Sequence, residues 1–128
     1  MRGNGTVGVV DRSYAGIVYW RRSLWNGMRC VPVLLTLDEG RLRARDRRGA
    51  EVFAAPAGQV EARGTIVGTM LLTVGGHRYA LVGVGATVSP APSAEQRRRL
   101  DEYTARAEPV PDLASWWEVL AGAGVTVR

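Results

Sequence analysis

Three groups of side chains in this sequence are able to do chemistry, and two of them are arginine clusters. The first is Trp20-Arg21-Arg22-Ser23-Leu24-Trp25-Asn26-Gly27-Met28-Arg29, in which three arginines flank an apolar tip of Leu24, Trp25 and Met28. Guanidinium forks grip phosphate or carboxylate oxygens in pairs, and an indole favours the boundary between headgroups and acyl chains. The segment therefore reads as an anion or lipid contact made by Arg21, Arg22, Trp25 and Arg29. It also reads as a loop whose Leu24 and Trp25 fold back onto a core, leaving Arg21 and Arg22 solvated. Each basic residue beside an anionic leaflet contributes about 1 kcal/mol, so three of them alone bind weakly.

The second cluster is Arg41, Arg43, Arg45, Arg47 and Arg48. Strand alternation puts Arg41, Arg43 and Arg45 on one face, with Leu42 and Ala44 on the other. Such a face can track nucleic-acid phosphates. However, that strand has no aromatic residue to stack a base, and Asp46 interrupts the run, so nucleic acid is not expected. Arginine on an exposed strand also guards against edge-to-edge aggregation.

The third group is His77 and Cys30, the single histidine and the single cysteine. His77 stands beside a Gly-Gly turn with no nucleophile or carboxylate near it in sequence. No catalytic triad, metal-ligand spacing or phosphate-cradling glycine string is present, so neither catalysis nor a cofactor or metal is expected. Cys30 reads as a small buried residue, and a lone thiol fits a reducing compartment.

Charge is unevenly spread along the chain. All 17 basic residues are arginine; residues 1–49 hold 10 of them against 4 acids, while residues 50–128 hold 7 against 8. An arginine-rich face can hold anionic lipid, nucleic acid or an acidic protein, and it can simply keep a small domain soluble. The 128 residues have room for one domain with a core of its own. No apolar run is long enough to cross a bilayer, and Met1–Gly8 lacks the regions of a secretory signal. A cytoplasmic protein is expected, at the inner face of the membrane if the lipid contact is real.

The elements that must position these residues are mostly strands. After a glycine-rich flexible stretch over residues 1–8, β-formers predict strands over residues 15–20, 29–38, 41–46, 51–55, 59–63, 68–74 and 77–82. Asp38-Glu39-Gly40 and Gly75-Gly76 are hairpin signals, and Pro32 suggests an edge or bulge. Seven short strands with tight reversals imply an antiparallel meander. The tail differs. Ser93 caps a predicted helix over 94–107 whose thin stripe of Leu100, Tyr103 and Ala107 predicts a mostly solvated element. Asp112 starts a second helix over 112–124, with Leu113, Trp116, Trp117, Leu120 and Ala123 on one broad face that must dock.

Several strings resemble the pleckstrin-homology-like (PH/GRAM-type) domains, in particular bacterial members. Ala15-Gly16-Ile17-Val18 is similar to the opening strand, and Val33-Leu34-Leu35-Thr36-Leu37-Asp38-Glu39-Gly40-Arg41-Leu42 to the second hairpin. Val74-Gly75-Gly76-His77-Arg78-Tyr79 resembles the hairpin between strands six and seven. Trp116-Trp117-Glu118-Val119-Leu120-Ala121-Gly122-Ala123-Gly124 resembles the closing helix, with Trp116 at its tryptophan. The resemblance implies a mainly β (α+β) fold: a seven-stranded, partly open barrel closed by the C-terminal helix, with residues 85–111 as an insertion. An SH3-like or OB-type barrel is the alternative.

The same resemblance implies a non-catalytic binding or scaffolding role, with a protein partner taken against the strand beside the closing helix. The insertion can supply or cover such a groove. Phosphoinositide-type lipid at the basic first loop is the second expectation, and a nucleic-acid-binding barrel the third.

Overall fold

The computed structural model describes residues 13–21, 30–65, 68–82 and 91–128. The expected N-terminal stretch over 1–8 and most of the first basic loop lie outside them. Seven strands appear where the β-formers place them: β1 Tyr14–Arg21, β2 Cys30–Asp38, β3 Arg41–Arg45, β4 Glu51–Pro56, β5 Val60–Gly64, β6 Met70–Val74 and β7 His77–Val82. Two helices follow, α1 Ala94–Thr104 and α2 Leu113–Gly122. Two-residue strands β8 (Glu108–Pro109) and β9 (Thr126–Val127) flank α2. The described residues thus carry nine strands rather than seven.

The sheet runs β4-β3-β2-β1-β7-β6-β5-β9, with β8 on the side of β1. β1 and β2 are matched from Tyr14↔Leu37 to Arg21↔Cys30. The β2–β3 turn holds Glu39 and Gly40 at φ 54° and 75°. Two successive left-handed residues match the twist of a two-residue hairpin. β4 and β5 follow one another through a short 3-10 turn, Ala57–Gln59, but do not pair, so the sheet stays open between them.

One face of this curled sheet is the core. Val18, Val33, Leu35, Leu42, Met70 and Leu72 pack there with Trp116 and Leu120 of α2. α2 is the amphipathic helix that its sequence predicts, and its three buried residues are Leu113, Trp116 and Leu120. Asp112 caps it by accepting the Ser115 N–H at 2.7 Å, and that bond holds the Asp112 carboxyl below the usual carboxylate range.

The two extra strands explain how α2 is held. β7 pairs with β1 only over Tyr19–Arg21, which leaves the first half of β1 with a bare edge. β8 fills that edge in parallel, with Glu108 N–H donating to Ser13 O and Val110 N–H to Ala15 O, both at 2.8 Å. β9 pairs in parallel with β5, and Arg128 N–H donates to Ala62 O at 2.9 Å. α2 is therefore held at both ends, by β8 on β1 and by β9 on β5.

α1 departs from its expectation in part. It ends at Thr104, so Ala107 lies outside it, while Leu100 and Tyr103 are half-buried. It is mostly solvated, as expected, with Gln96 its one buried residue, but it packs on the outer face of β1 and β2. Ala15, Tyr19, Leu34 and Thr36, which alternate with the inward Val18, Val33 and Leu35, are buried as well. The anchor is polar. Gln96 is 1% exposed, and its Nε2 donates to Pro32 O at 2.8 Å. Its Oε1 accepts Ser93 N–H at 3.0 Å, while Ser93 Oγ accepts Gln96 N–H at 3.1 Å. β3 last pairs with β2 at Leu34↔Arg45, two residues short of Pro32. The Gln96 amide continues the ladder where β3 has run out.

Gln96→Leu keeps the size and removes both bonds, leaving buried backbone groups unpaired. It should cost about 1–3 kcal/mol in urea unfolding. An unchanged midpoint would show that water replaces the amide.

Candidate functional site

A groove of about 880 Å³ opens at the end of the sheet where β1 finishes and β2 begins. Its apolar lining is Trp20, Val31, Val52 and Tyr79, and its polar lining is Asp46, Arg47, Arg48, Glu51 and Ser93. Trp20 and Tyr79 stand on neighbouring strands, because Trp20 is opposite Leu81 in the β1–β7 register. Their rings tilt at 58° with centroids 5.7 Å apart, and Phe53 lies 4.7 Å from Tyr79 on its other side. Tilted contacts at these separations are favourable and fix the orientation of each ring. The aromatic wall is thus braced from the core outward.

The turn that carries Arg47 and Arg48 is held in place by its own backbone. Asp46 Oδ1 accepts Arg48 N–H at 2.9 Å and Ala50 N–H at 3.0 Å. Gly49 N–H donates to Asp46 O at 3.0 Å, and Asp46 N–H to Ala50 O at 2.9 Å. From the helix side, Ser93 Oγ donates to Arg47 O at 2.7 Å. Gly49 sits so close to the Glu95 carboxylate that a Cβ there would collide with it. One asparagine-like turn, one helix cap and one close packing contact therefore present Arg47 and Arg48 on a fixed backbone.

Neutralisation at the rim is partial. Glu51 Oε1 lies 3.4 Å from Arg43 Nε, and Glu95 pairs with Arg99 at 3.1 Å. Arg47 and Arg48 are exposed and carry no ion pair among the described residues. Asp46 is committed to its turn. The usable charge of the groove is positive.

The residues singled out from sequence fall in three places. Arg21 ends β1 opposite Cys30, half-buried, and its Nε is buried without a hydrogen-bond acceptor among the described residues. Arg22, Trp25 and Arg29 lie outside the described residues. Arg41, Arg43 and Arg45 do share the outward face of β3, with Leu42 and Ala44 inward. They border the strip that α1 covers rather than an open track, since the Arg45 carbonyl lies 3.5 Å from Gln96 Nε2. Arg45 is opposite Leu34 and Arg21 opposite Cys30, four residues earlier on β2, so the two sets do not merge. His77 is exposed beside the β6–β7 turn, and Cys30 is buried. Among the described residues no group of three or more His, Cys, Asp or Glu side chains could hold a metal, and no helix is long and apolar enough to cross a membrane.

Sequence reasoning missed the groove itself, whose walls come from residues 20, 31, 47, 52, 79 and 93. A local signal for it does exist. Trp20 and Tyr79 are large aromatic residues on the inward parity of β1 and β7.

The strand beside α2 was the expected peptide position. β5 is already paired there by β9, with Arg128 also 3.6 Å from Glu61. A second cleft, about 340 Å³, lies between β8 and α2 and includes Glu108 and Glu118.

No family model and no curated protein matches the chain. A search of solved structures finds the solution structure of the PH domain of human oxysterol binding protein-related protein 11, with 14% identity over 80% of each chain and a TM-score of 0.42. That similarity is too slight to carry a ligand or a partner across.

Proposed function

We propose that this chain is a non-catalytic, pleckstrin-homology-like binding or scaffolding module that works in the cytoplasm and takes a protein partner in the groove lined by Trp20, Val52 and Tyr79. The order of elements supports the fold reading: seven strands paired antiparallel except between β4 and β5, and a last helix that seats a fully buried Trp116 against the sheet. The groove carries the functional reading. It combines braced aromatic walls with a preformed basic turn, and interface cores favour such aromatic and arginine anchors. Its size lies within the range of pockets that bury a few side chains.

Contact with an anionic membrane through Arg21, Arg22, Trp25 and Arg29 is the second reading. It is favoured by Arg21 at the end of β1, a half-buried guanidinium whose Nε has no acceptor among the described residues.

The two readings separate in parallel assays. Native lysate passed over the immobilised chain should yield a protein that Val52→Glu releases, while the chain stays in the supernatant with phosphatidylserine vesicles at low salt. Sedimentation with those vesicles, abolished by Arg21→Glu, would replace the first reading with the second.

A further inference from the structure

We infer that the partner of this groove is an extended acidic peptide segment with one aromatic or large aliphatic anchor, the anchor packing on the apolar floor of Val31, Val52 and Tyr79 and the flanking carboxylates pairing with Arg47 and Arg48. This rests on the protein-binding reading above and names its chemistry.

The floor and the rim ask for different things. Trp20, Val31, Val52 and Tyr79 offer apolar surface, so whatever enters must bring apolar surface of its own. The rim offers two guanidinium groups free of ion pairs among the described residues, which select carboxylate or phosphate. A phosphate headgroup concentrates its charge at one point, within the same groove as the Asp46 and Glu51 carboxylates, and leaves the aromatic wall unused. Carboxylates at alternate positions of an extended chain are about 7 Å apart. They can meet Arg47 and Arg48 separately while the residue between them points to the floor.

The backbone supports an extended occupant. Glu51 and Val52 line the groove at the start of β4, and β4 ends the sheet, paired on one side only with β3 among the described residues. A register shift between Ala44 and Arg45 bulges the β3–β4 ladder at this same end. Bulges of this kind re-aim side chains and end pairing beside functional sites. A peptide laid along the outer edge of β4 gains main-chain bonds there, in the manner of strand addition. The arginine turn is held by Asp46 and by Ser93, so little ordering is required on binding.

The test is a fluorescence anisotropy titration of the full chain with three labelled heptapeptides. One has a central phenylalanine flanked by aspartates and glutamates, the second has alanine at the centre, and the third has lysine in place of each acid. The acidic phenylalanine peptide should bind, and its affinity should fall with salt. The alanine centre should weaken binding about thirtyfold, as loss of a hot-spot anchor does. Arg47→Glu/Arg48→Glu, at exposed positions whose turn bonds use only their backbone atoms, should weaken it about tenfold without altering the melting temperature. Equal binding of the lysine peptide, or indifference to the double variant, overturns the acidic partner. If the lysine peptide binds and Val52→Glu abolishes it, the groove remains a protein site of other chemistry. If no peptide binds and phosphatidylserine vesicles sediment the wild type but not the double variant, the protein-binding reading falls as well. Silence from all probes also refutes the acidic peptide.

Discussion

Trp116→Ala should destabilise the protein by about 3–5 kcal/mol, a large share of what a domain of this size has to lose. Trp116 is fully buried, and it is the largest of the fully buried side chains. Truncation would leave a cavity between α2 and β1 that the stapled helix cannot collapse into, because β8 and β9 fix both of its ends. The indole is not ideally placed, since its Nε1 is buried without an acceptor among the described residues. An unpaired buried donor costs about 1–3 kcal/mol, so Trp116→Phe, which removes the donor with only part of the apolar bulk, should cost much less than alanine. The adjacent Trp117 is half-buried, and its ring edge lies against Gly64. Trp117→Ala should therefore fall well below Trp116→Ala in urea unfolding followed by far-ultraviolet circular dichroism. If Trp116→Ala changes stability by less than about 0.5 kcal/mol, the indole is not core and α2 does not close the sheet.

Much of this arrangement is legible in the residues, for identifiable reasons. The strands announce themselves because Ile17, Val18, Val33, Leu35 and Leu72 are β-formers bounded by turn residues, and the hairpin at Glu39-Gly40 needs positive φ where glycine supplies it. α2 is legible because its burial is apolar and periodic. What escaped has no such pattern. Glu108-Pro109 and Thr126-Val127 become strands only because β1 and β5 have bare edges to fill. Periodicity counts apolar residues, so it cannot register that α1 is anchored by Gln96, a polar side chain whose value lies in the Pro32 carbonyl 64 positions away.

The site divides in the same way. The outward alignment of Arg41, Arg43 and Arg45 follows from strand alternation. Arg47 and Arg48, which the sequence places at the turn after that row, gain their significance from the Asp46 bonds and from Ser93, which no local pattern connects to them. The peptide position beside α2, expected from resemblance, is taken by the chain itself through β9.

Gly16→Ala should prove nearly as damaging as loss of the tryptophan, although it adds a single methyl group. Gly16 is on the inward parity of β1, beneath the point where the chain leaves β8 for α2. A Cβ at this position would overlap the Val110 carbonyl oxygen and come within 3.2 Å of Trp116 Nε1. The nearer obstacle is backbone, which cannot rotate aside as a side-chain tip would. Relief requires β8 to move off β1, and that movement breaks the bonds from Val110 N–H to Ala15 O and from Glu108 N–H to Ser13 O. Overpacking of this kind costs about 1–3 kcal/mol, and the two lost edge bonds add about 1 kcal/mol each, for a total of about 3–5 kcal/mol. Gly58→Ala is the control, because a Cβ at Gly58 meets nothing within 4 Å. That variant should stay within about 0.5 kcal/mol of the wild type. Amide exchange locates the damage: Gly16→Ala should speed exchange at Val110 and Glu108 more than in β6 and β7. A stable Gly16→Ala protein with Val110 still protected would mean that β8 and α2 sit further from β1 than the close approach at Gly16 requires, and the groove end of β1 would then lose its fixed reference to the closing helix.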